Sequence, residues 1–251
     1  MSEKNPIGLA DPLALEKPLV WTPEAVTRFW RWQVRHSDHY FTKRFGREIV
    51  RALAPWLTRS GSVLDLGCGP GFLIPHLAGQ GLEVRASDHS EAAVAAANLN
   101  FADVKGFKGA WALDVLRANG VTFPSIVSVE VIEHLDDSQL SDFLNMLNAL
   151  LAPGGTVIIT TPNDEDLAAS EIYCPNCDHT FHRYQHMRTW SEATLAAILR
   201  QSGLTIERTF VTDFSMRPWR EPVRLAKSWM KRILGRPDRQ PHLICVARKE
   251  A

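Results

Sequence analysis

The chain lacks an excess of charge of either sign, because 28 Lys and Arg residues balance 28 Asp and Glu residues. A neutral total gives no global electrostatic reason to expect a nucleic-acid partner. The chain also lacks any stretch near the roughly 18 consecutive apolar residues of a membrane-spanning helix. Its first six residues, MSEKNP, are polar and include an acid, so we expect no secretory signal and a cytoplasmic protein.

Cysteine is scarce, with four in 251 residues, and two of these form a single Cys-x-x-Cys pair at Cys174 and Cys177. This usage favours a reducing compartment and a metal site over a disulfide framework. Hydrophobic residues make up 45% and charged residues 22% of the chain, which is ordinary for a globular protein. The length suits one α/β domain with a sizeable core.

Short apolar segments alternate with helical ones through the middle of the chain. Strand-like runs lie at 63–66, 83–88, 126–129 and 156–161, with two closing strands at 204–209 and 242–247. Helical periodicity lies between them, at 72–78, 92–99, 135–151 and 191–201. The alternation predicts an α/β, Rossmann-like, doubly wound sheet of seven mostly parallel strands with an antiparallel tail.

We divide the chain into a loose leader at 1–20 and a single domain at 21–251. Within the domain we expect a helical cap or lid at 21–58 and a cofactor-binding core at 61–165. A Cys/His-rich loop insertion follows at 170–190, and a basic amphipathic insertion at 212–240. The segment 217–239 carries eight basic residues against two acids, so it could lie on an anionic membrane or present a solvated face of a packed helix.

A glycine-rich loop, Gly67-Cys68-Gly69-Pro70-Gly71, follows the first predicted strand, at the sheet edge where open α/β folds bind ligands. Its G-x-G-x-G spacing is one residue shorter than that of dinucleotide-binding loops, and Asp65 before it would repel a pyrophosphate. Asp88 ends the second strand, where a carboxylate can accept ribose hydroxyls. The candidate cofactor-binding residues are Asp65, Gly67, Cys68, Gly69, Gly71, Asp88, His89, Asp114, Val115 and Glu130.

These segments, with Leu150-Leu151-Ala152-Pro153-Gly154-Gly155, resemble the class I S-adenosylmethionine-dependent methyltransferases over roughly residues 45–165. The resemblance implies S-adenosylmethionine as cofactor, with Asp65 and the glycines at its methionine end, Asp88 at the ribose and Asp114 at the adenine. Phe123-Pro124 departs from the Phe-Asp of many relatives. Because proline cannot donate to a sheet ladder, we expect Pro124 to be the first residue of its strand.

The segment Glu130-Val131-Ile132-Glu133-His134 follows the predicted strand at 126–129, at the same sheet edge. On a helical turn its two acids and its histidine fall on one face. They could complement a helix dipole, act as a general base, or bind Mg²⁺, Mn²⁺ or Zn²⁺.

This motif resembles the O-methyltransferases of ubiquinone biosynthesis and the small-RNA 2′-O-methyltransferases. Both groups methylate one oxygen of a vicinal diol or catechol and are associated with a divalent metal at this motif. In the RNA group a further histidine lies four residues before a tryptophan, as His186 and Trp190 do here. We therefore expect Glu130, His134 and His186 to be catalytic, or Glu130, Glu133, His134 and His186 to hold a divalent cation.

The loop insertion offers a competing zinc site. Cys174-x2-Cys177-x4-His182-x3-His186 presents two thiolates and two imidazoles at a spacing typical of tetrahedral zinc. A second set, Cys174, Cys177, His179 and His182, would leave His186 free for the active site. A redox pair or unligated cysteines are the other interpretations.

The sequence as a whole predicts a methyltransferase that uses S-adenosylmethionine to O-methylate a small-molecule, lipid-linked or glycan hydroxyl. One alternative is a metal-dependent RNA 2′-O-methyltransferase, which the neutral charge disfavours. Another is a catalytically silent S-adenosylmethionine-binding module whose zinc loop serves as a partner interface. The oligomeric state has no signature in the sequence.

Overall fold

A seven-stranded sheet forms the centre of the protein. The structure is a computed structural model that describes residues 17–59, 61–215 and 240–251. The strands of this sheet are β2 (Ser62–Leu66), β3 (Glu83–Asp88), β4 (Phe107–Ala112), β5 (Phe123–Val129), β6 (Leu151–Pro162), β9 (Leu204–Thr212) and β10 (His242–Lys249). Their order across the sheet is β4-β3-β2-β5-β6-β10-β9.

Strands β2 to β6 run parallel, whereas β10 lies antiparallel between β6 and β9. The expected doubly wound, mostly parallel sheet with an antiparallel tail is therefore confirmed. Strand β4 was not expected from the sequence pattern. Pro124 is the second residue of β5, not the first, and it sits where the pairing with β6 shifts register between Phe123 and Ser125.

Helices cover both faces of the sheet, and each face has its own buried apolar cluster. One cluster joins Leu64 and Ile126 of the strands to the helical residue Leu147, and the other joins Val63 to the helical residues Ile49 and Leu77. The helices are α1 (Pro23–Arg35), α2 (Phe41–Leu53), α3 (Ile74–Ala78), α4 (Glu91–Phe101), α5 (Leu113–Ala118), α6 (Asp137–Leu150) and α7 (Glu192–Gln201). Among the described residues, no helix is both long and apolar enough to cross a membrane.

The segment expected to be a Cys/His-rich loop is instead a β-hairpin. Strands β7 (Glu171–Cys174) and β8 (His179–His182) pair antiparallel, and β1 (Lys17–Pro18) pairs parallel with β8. Residues 17–18 of the expected loose leader thus form a short strand that pairs with this hairpin. Residues 1–16 of the leader and 216–239 of the basic insertion lie outside the described residues.

The region expected to be a cap contains α1 and α2, joined by a short 3₁₀ turn at Ser37–His39. Helix α1 begins at an N-cap, Thr22, whose side chain accepts from the backbone N–H of Ala25. No residue of α1 is buried, whereas α2 buries Ile49, Val50 and Leu53 against the sheet. Helix α2 therefore anchors the cap to the core, and α1 extends from it over the carboxyl edge of the sheet.

Substitutions at Gly71 and Gly81 separate the effect of packing on the free energy of unfolding from the effect of backbone strain. Both glycines have positive φ, +90° and +82°. A Cβ on Gly71 would lie 2.7 Å from Ile74 Cδ1 and 2.9 Å from Ala97 Cβ, whereas one on Gly81 would meet nothing within 4 Å.

We expect Gly81→Ala to lower the free energy of unfolding by about 1–2 kcal/mol, from left-handed strain alone. Gly71→Ala should lose about 1–3 kcal/mol more, because the added methyl group overpacks a closed contact. Urea denaturation of both variants measures the difference. Equal losses would show that packing around Gly71 does not limit stability.

Candidate active site

A cavity of about 850 Å³ opens at the carboxyl ends of the parallel strands, between the sheet and the cap. This volume lies in the range of small-molecule sites. The cap contributes Trp30 and Tyr40, and the sheet edge contributes the glycine loop and the segment after β5. Position and size make this cavity the candidate active site.

The glycine loop is fixed by hydrogen bonds to the neighbouring strand β3. The backbone N–H groups of Gly67 and Cys68 donate to the carbonyl oxygen of Ser87, at 2.8 and 3.0 Å. The N–H of Gly69 donates to Asp88 Oδ2 at 2.8 Å, and that of Ser90 donates to Oδ1 at 2.8 Å. A carboxylate has about four acceptor sites, so Asp88 shapes the loop and keeps capacity for ligand hydroxyls.

Asp65 lies beneath the loop and is 1% exposed. Its Oδ2 atom has no hydrogen-bond partner among the described residues. Burial, with a smaller contribution from Asp88, raises the pKa of Asp65 from 3.8 to about 7. A buried carboxylate without a partner is costly unless a cation approaches it, so this wall of the cavity fits a positively charged ligand.

Tyr40, just before α2, closes the cap over the glycine loop. A Cβ on Gly69 would lie 2.9 Å from Tyr40 Cε1, so the absence of a side chain at Gly69 permits this contact. Burial and the nearby Asp88 raise the pKa of the Tyr40 phenol, which therefore stays neutral. The cap thus covers the loop with an uncharged aromatic ring.

Most of the expected cofactor-binding residues line the cavity, namely Asp65, Gly67, Cys68, Gly69, Asp88, His89 and Glu130. Gly71 is not among the lining residues. Asp114 and Val115 are exposed in the first turn of α5, where Asp114 Oδ1 accepts from the N–H of Val115. Leu113 lines the cavity at this point instead, so the adenine role of Asp114 stays a prediction.

Glu130 does not share a helical face with the acid and histidine that follow it. Its φ is +53°, and it directly follows β5, ahead of the 3₁₀ turn Ile132–His134. Its Oε1 accepts from Thr160 Oγ1 at 2.8 Å, and its Oε2 lies 3.7 Å from His242 Nδ1. The Glu130 side chain therefore contacts Thr160 of β6 and His242 of β10, and it is not in the group of residues whose ligand atoms lie within 4.8 Å of one another.

Glu133 is 1% exposed. Its Oε2 accepts from Thr161 Oγ1 at 3.0 Å, whereas Oε1 has no hydrogen-bond partner among the described residues. Burial first, and the charge of Glu130 second, raise the pKa of Glu133 well above its usual value. The unpartnered oxygen marks a second place where a proton or a cation would be stabilised.

Two histidines meet beside Glu133. The rings of His134 and His186 have centroids 4.8 Å apart, and Trp30 of α1 packs edge-on to His134 at 4.9 Å. Burial, followed by the nearby His186, lowers the pKa of His134 to about 3. Glu133, His134 and His186 each offer a ligand atom within 4.8 Å of the others. Three of the four residues expected to hold a divalent cation are therefore together, and Glu130 is not with them.

Glu165, which the sequence analysis missed, joins the histidines on the far side. Its Oε2 accepts from His186 Nδ1 at 2.5 Å, and its Oε1 lies 3.4 Å from His182 Nε2. Glu165 is one of three successive acids, Asp164, Glu165 and Asp166, that follow β6. Nothing in their order indicates which of them reaches the cavity.

The structure brings together neither expected zinc ligand set. Cys174 pairs with His179 at one end of the hairpin and Glu171 pairs with His182 at the other. The three intervening steps of about 3.3 Å separate Cys174 from His182 by about 10 Å along the strands. In the described part of the chain, no candidate metal group includes a cysteine. His182 instead turns toward Glu165, and the cysteines stay near the turn.

Comparison with known proteins shows which family this chain belongs to. Residues 37–209 match the family model described as a methyltransferase domain. The chain belongs to the class I S-adenosylmethionine-dependent methyltransferases. This confirms the family expected from the glycine loop and the strand-end acids.

Two relatives are named ubiquinone biosynthesis O-methyltransferases. The protein from Mesorhizobium japonicum is 35% identical over 48% of this chain and 47% of its own length, so the match spans about half of that relative. The protein from Xylella fastidiosa strain 9a5c is 30% identical over 65% of this chain and 68% of its own. The solved structure of the DhpI–SAH complex shares the fold, with a TM-score of 0.59 and 17% identity over 90% of this methyltransferase and 96% of DhpI.

Asp65→Asn should stabilise the methyltransferase while weakening binding of S-adenosylmethionine. Since folding raises the Asp65 pKa from 3.8 to about 7, the wild-type free energy of unfolding falls as pH rises through that window. Asparagine removes this loss, so the variant should gain up to about 4 kcal/mol above pH 7 and little below pH 4.

Denaturation at several pH values and calorimetric titration with S-adenosylmethionine measure the two effects. The wild type at low pH, where Asp65 is protonated and uncharged, is the control. A variant that binds the cofactor as well as the wild type would contradict the role of the Asp65 charge.

Proposed function

We propose that this methyltransferase transfers the methyl group of S-adenosylmethionine to a hydroxyl oxygen of a small-molecule, lipid-linked or glycan acceptor. The observation that carries the proposal is the buried cluster of Glu133, His134 and His186 on the wall of the cavity. An acceptor hydroxyl must lose a proton when its oxygen is methylated, and this cluster places proton acceptors at the cavity. Both relatives named above are O-methyltransferases, which supports the proposal.

The cofactor side of the cavity fits S-adenosylmethionine by its own chemistry. The unpartnered Oδ2 of Asp65 suits a cationic group, and Asp88 keeps acceptor sites for hydroxyls. When bound, the sulfonium group supplies a methyl group that is already reactive toward an oxygen nucleophile. The related fold of DhpI was solved with SAH, which agrees with this assignment. The chain's own tasks are alignment of the two partners and exclusion of water.

His186 is the better candidate for the general base. The pKa of His134 is lowered to about 3, so His134 is a weak base at neutral pH. His186 uses Nδ1 in its contact with Glu165, and its Nε2 has no hydrogen-bond partner among the described residues. In a neutral imidazole with Nδ1–H, Nε2 carries the lone pair that accepts a proton.

A divalent cation is a second candidate for activating the acceptor. Glu133, His134 and His186 fit such an ion, because their ligand atoms lie within 4.8 Å of one another and Glu133 Oε1 lacks a partner. One carboxylate and two imidazoles suit Mn²⁺ or Zn²⁺ better than Mg²⁺, which prefers oxygen ligands. A cation there would lower the pKa of the acceptor hydroxyl.

His186→Gln should lower kcat for methyl transfer to a catechol or other vicinal-diol acceptor by about 100-fold or more, since a general base contributes about 10²–10⁴-fold. Binding of S-adenosylmethionine should change little, because His186 lies away from the glycine loop. A matched control is His36→Gln, which changes an exposed histidine that does not line the cavity.

Transfer of a radiolabelled methyl group, together with cofactor titration, tests this pair. Full activity in His186→Gln would refute the base assignment. Cofactor binding by the wild type without transfer to any hydroxyl acceptor would favour the silent module, and selective methylation of an RNA 3′ end would favour the RNA enzyme.

If the cation interpretation holds, chelation with EDTA should lower activity at least tenfold, and Mn²⁺ or Zn²⁺ should restore it. Glu133→Gln should weaken cation binding, because it removes the only charged ligand of the three. Calorimetric titration of the protein with each ion measures this without reference to activity. Unchanged activity in EDTA, with no heat of ion binding, would leave the general base as the sole mechanism.

A further inference from the structure

His182, Glu165 and His186 form a line of polar contacts that leads to the cavity. His182 is buried, and Glu165 and His186 line the cavity wall. The two oxygens of Glu165 serve different histidines, Oε1 facing His182 Nε2 and Oε2 facing His186 Nδ1. The three residues could in principle hold a metal ion, since their ligand atoms lie within 4.8 Å of one another.

The proton position on His182 argues against a metal there. Its Nδ1 accepts from two backbone N–H groups, those of Tyr184 at 3.3 Å and of His186 at 3.1 Å. A ring nitrogen that accepts hydrogen bonds carries no proton, so in the neutral ring the proton is on Nε2. A protonated Nε2 has no lone pair for a metal. It has no hydrogen-bond partner among the described residues, and the acceptor that faces it is Glu165 Oε1, at 3.4 Å.

The proton on His182 also determines the tautomer of His186. With Oε1 of Glu165 facing the N–H of His182, Oε2 accepts from His186, which places the second proton on Nδ1. The backbone N–H groups at His182 therefore determine, through His182 and Glu165, which nitrogen of His186 carries the proton. The tight turn after β8, with Gln185 at a φ of +63°, aims two N–H groups at His182, and His182 and Glu165 together leave the lone pair of His186 on Nε2.

We propose that Glu165 and His182 are positioning residues that hold His186 in the Nδ1–H tautomer, so that its Nε2 is available in the cavity. This inference rests on the proposed function, in which His186 Nε2 accepts the acceptor proton or binds a cation. Carboxylates that orient a functional histidine in this way typically matter by about 10–100-fold in activity or metal affinity.

Glu165→Gln makes the proposal testable, because glutamine has one acceptor and one donor in place of two acceptors. The two imidazole N–H groups face different oxygens of Glu165, so the single carbonyl oxygen of a glutamine in its place can face only one of them. His182 cannot move its proton without facing the N–H groups of Tyr184 and His186, so it keeps the glutamine oxygen. The glutamine NH₂ then faces His186 Nδ1, and the proton of His186 moves to Nε2.

The measurement is the tautomer of His186 by ¹⁵N NMR of histidine-labelled protein, with EDTA present, at a mildly alkaline pH. His186→Gln identifies the signals among the nine histidines. We expect Nδ1–H in the wild type and Nε2–H in Glu165→Gln, with kcat lowered about 10–100-fold. The affinity for S-adenosylmethionine should stay within about twofold, since Asp65 and the glycine loop are untouched.

Two further variants guard against a merely structural effect. Asp164→Asn makes the same chemical change at the exposed neighbouring residue and should alter neither the tautomer nor kcat. In the double variant Glu165→Gln/His182→Asn, the shorter asparagine no longer requires the glutamine oxygen. That oxygen can turn to His186, so the Nδ1–H tautomer and part of the lost activity should return.

A Glu165→Gln protein that keeps Nδ1–H on His186, or a double variant with the tautomer of the single one, would overturn the inference. Because the tautomer is read without an acceptor, its outcome is separate from that of the proposed function. Correct tautomers in an enzyme that methylates no hydroxyl would refute only the proposed function.

Discussion

Buried carboxylates without full partners are the constraint around which the cavity is built. Asp65 lies near the end of β2, and Glu133 lies in the 3₁₀ turn after β5. Both are 1% exposed, and each has one oxygen with no hydrogen-bond partner among the described residues. Such groups are costly in the ionised state, and the raised pKa of each reflects that cost. A fold selected for stability alone would have hydrogen-bonded or replaced them, so their retention is explained by a ligand that offers positive charge or protons.

The two carboxylates lie on different sides of the cavity, one suited to the cofactor and the other to the methyl acceptor. Asp65 lies with the glycine loop and Asp88, where a cationic cofactor fits. Glu133 lies with His134 and His186, where an acceptor can give up a proton. The sides are supported differently: hydrogen bonds from loop to strand hold the first, and the hairpin β7–β8 with Glu165 holds the second.

The cofactor side could be predicted from the sequence because its residues lie near the ends of strands or directly after them. Parallel strands end at one edge, so Asp65, the glycines and Asp88 had to meet there. The acceptor side depends on contacts between distant segments, which spacing does not encode. Cys174 and His182 have the spacing of zinc ligands, but a hairpin places them at opposite ends.

The predictions for Glu130 and for the segment that forms β4 were wrong for local reasons. The positive φ of Glu130 breaks the helical face that its spacing implied. Strand β4 contains Lys108 and Gly109, which interrupt the apolar pattern that marks a buried strand. Pro153-Gly154-Gly155 has a composition typical of a turn but lies within β6, at the place where the pairing of β6 with β5 is irregular. Glu165 was missed because three adjacent acids look equivalent until the chain is folded.

The most direct test of this account is the number of protons released when S-adenosylmethionine binds. Calorimetric titration just below pH 7, repeated in buffers with different ionisation enthalpies, measures that number. If a cation stabilises the ionised form of a buried carboxyl group with a pKa near 7, binding should release up to about one proton per cofactor, and release should fade above pH 8. Binding with no proton release at any pH would contradict the claim that a cationic ligand stabilises the ionised form of these buried carboxyl groups.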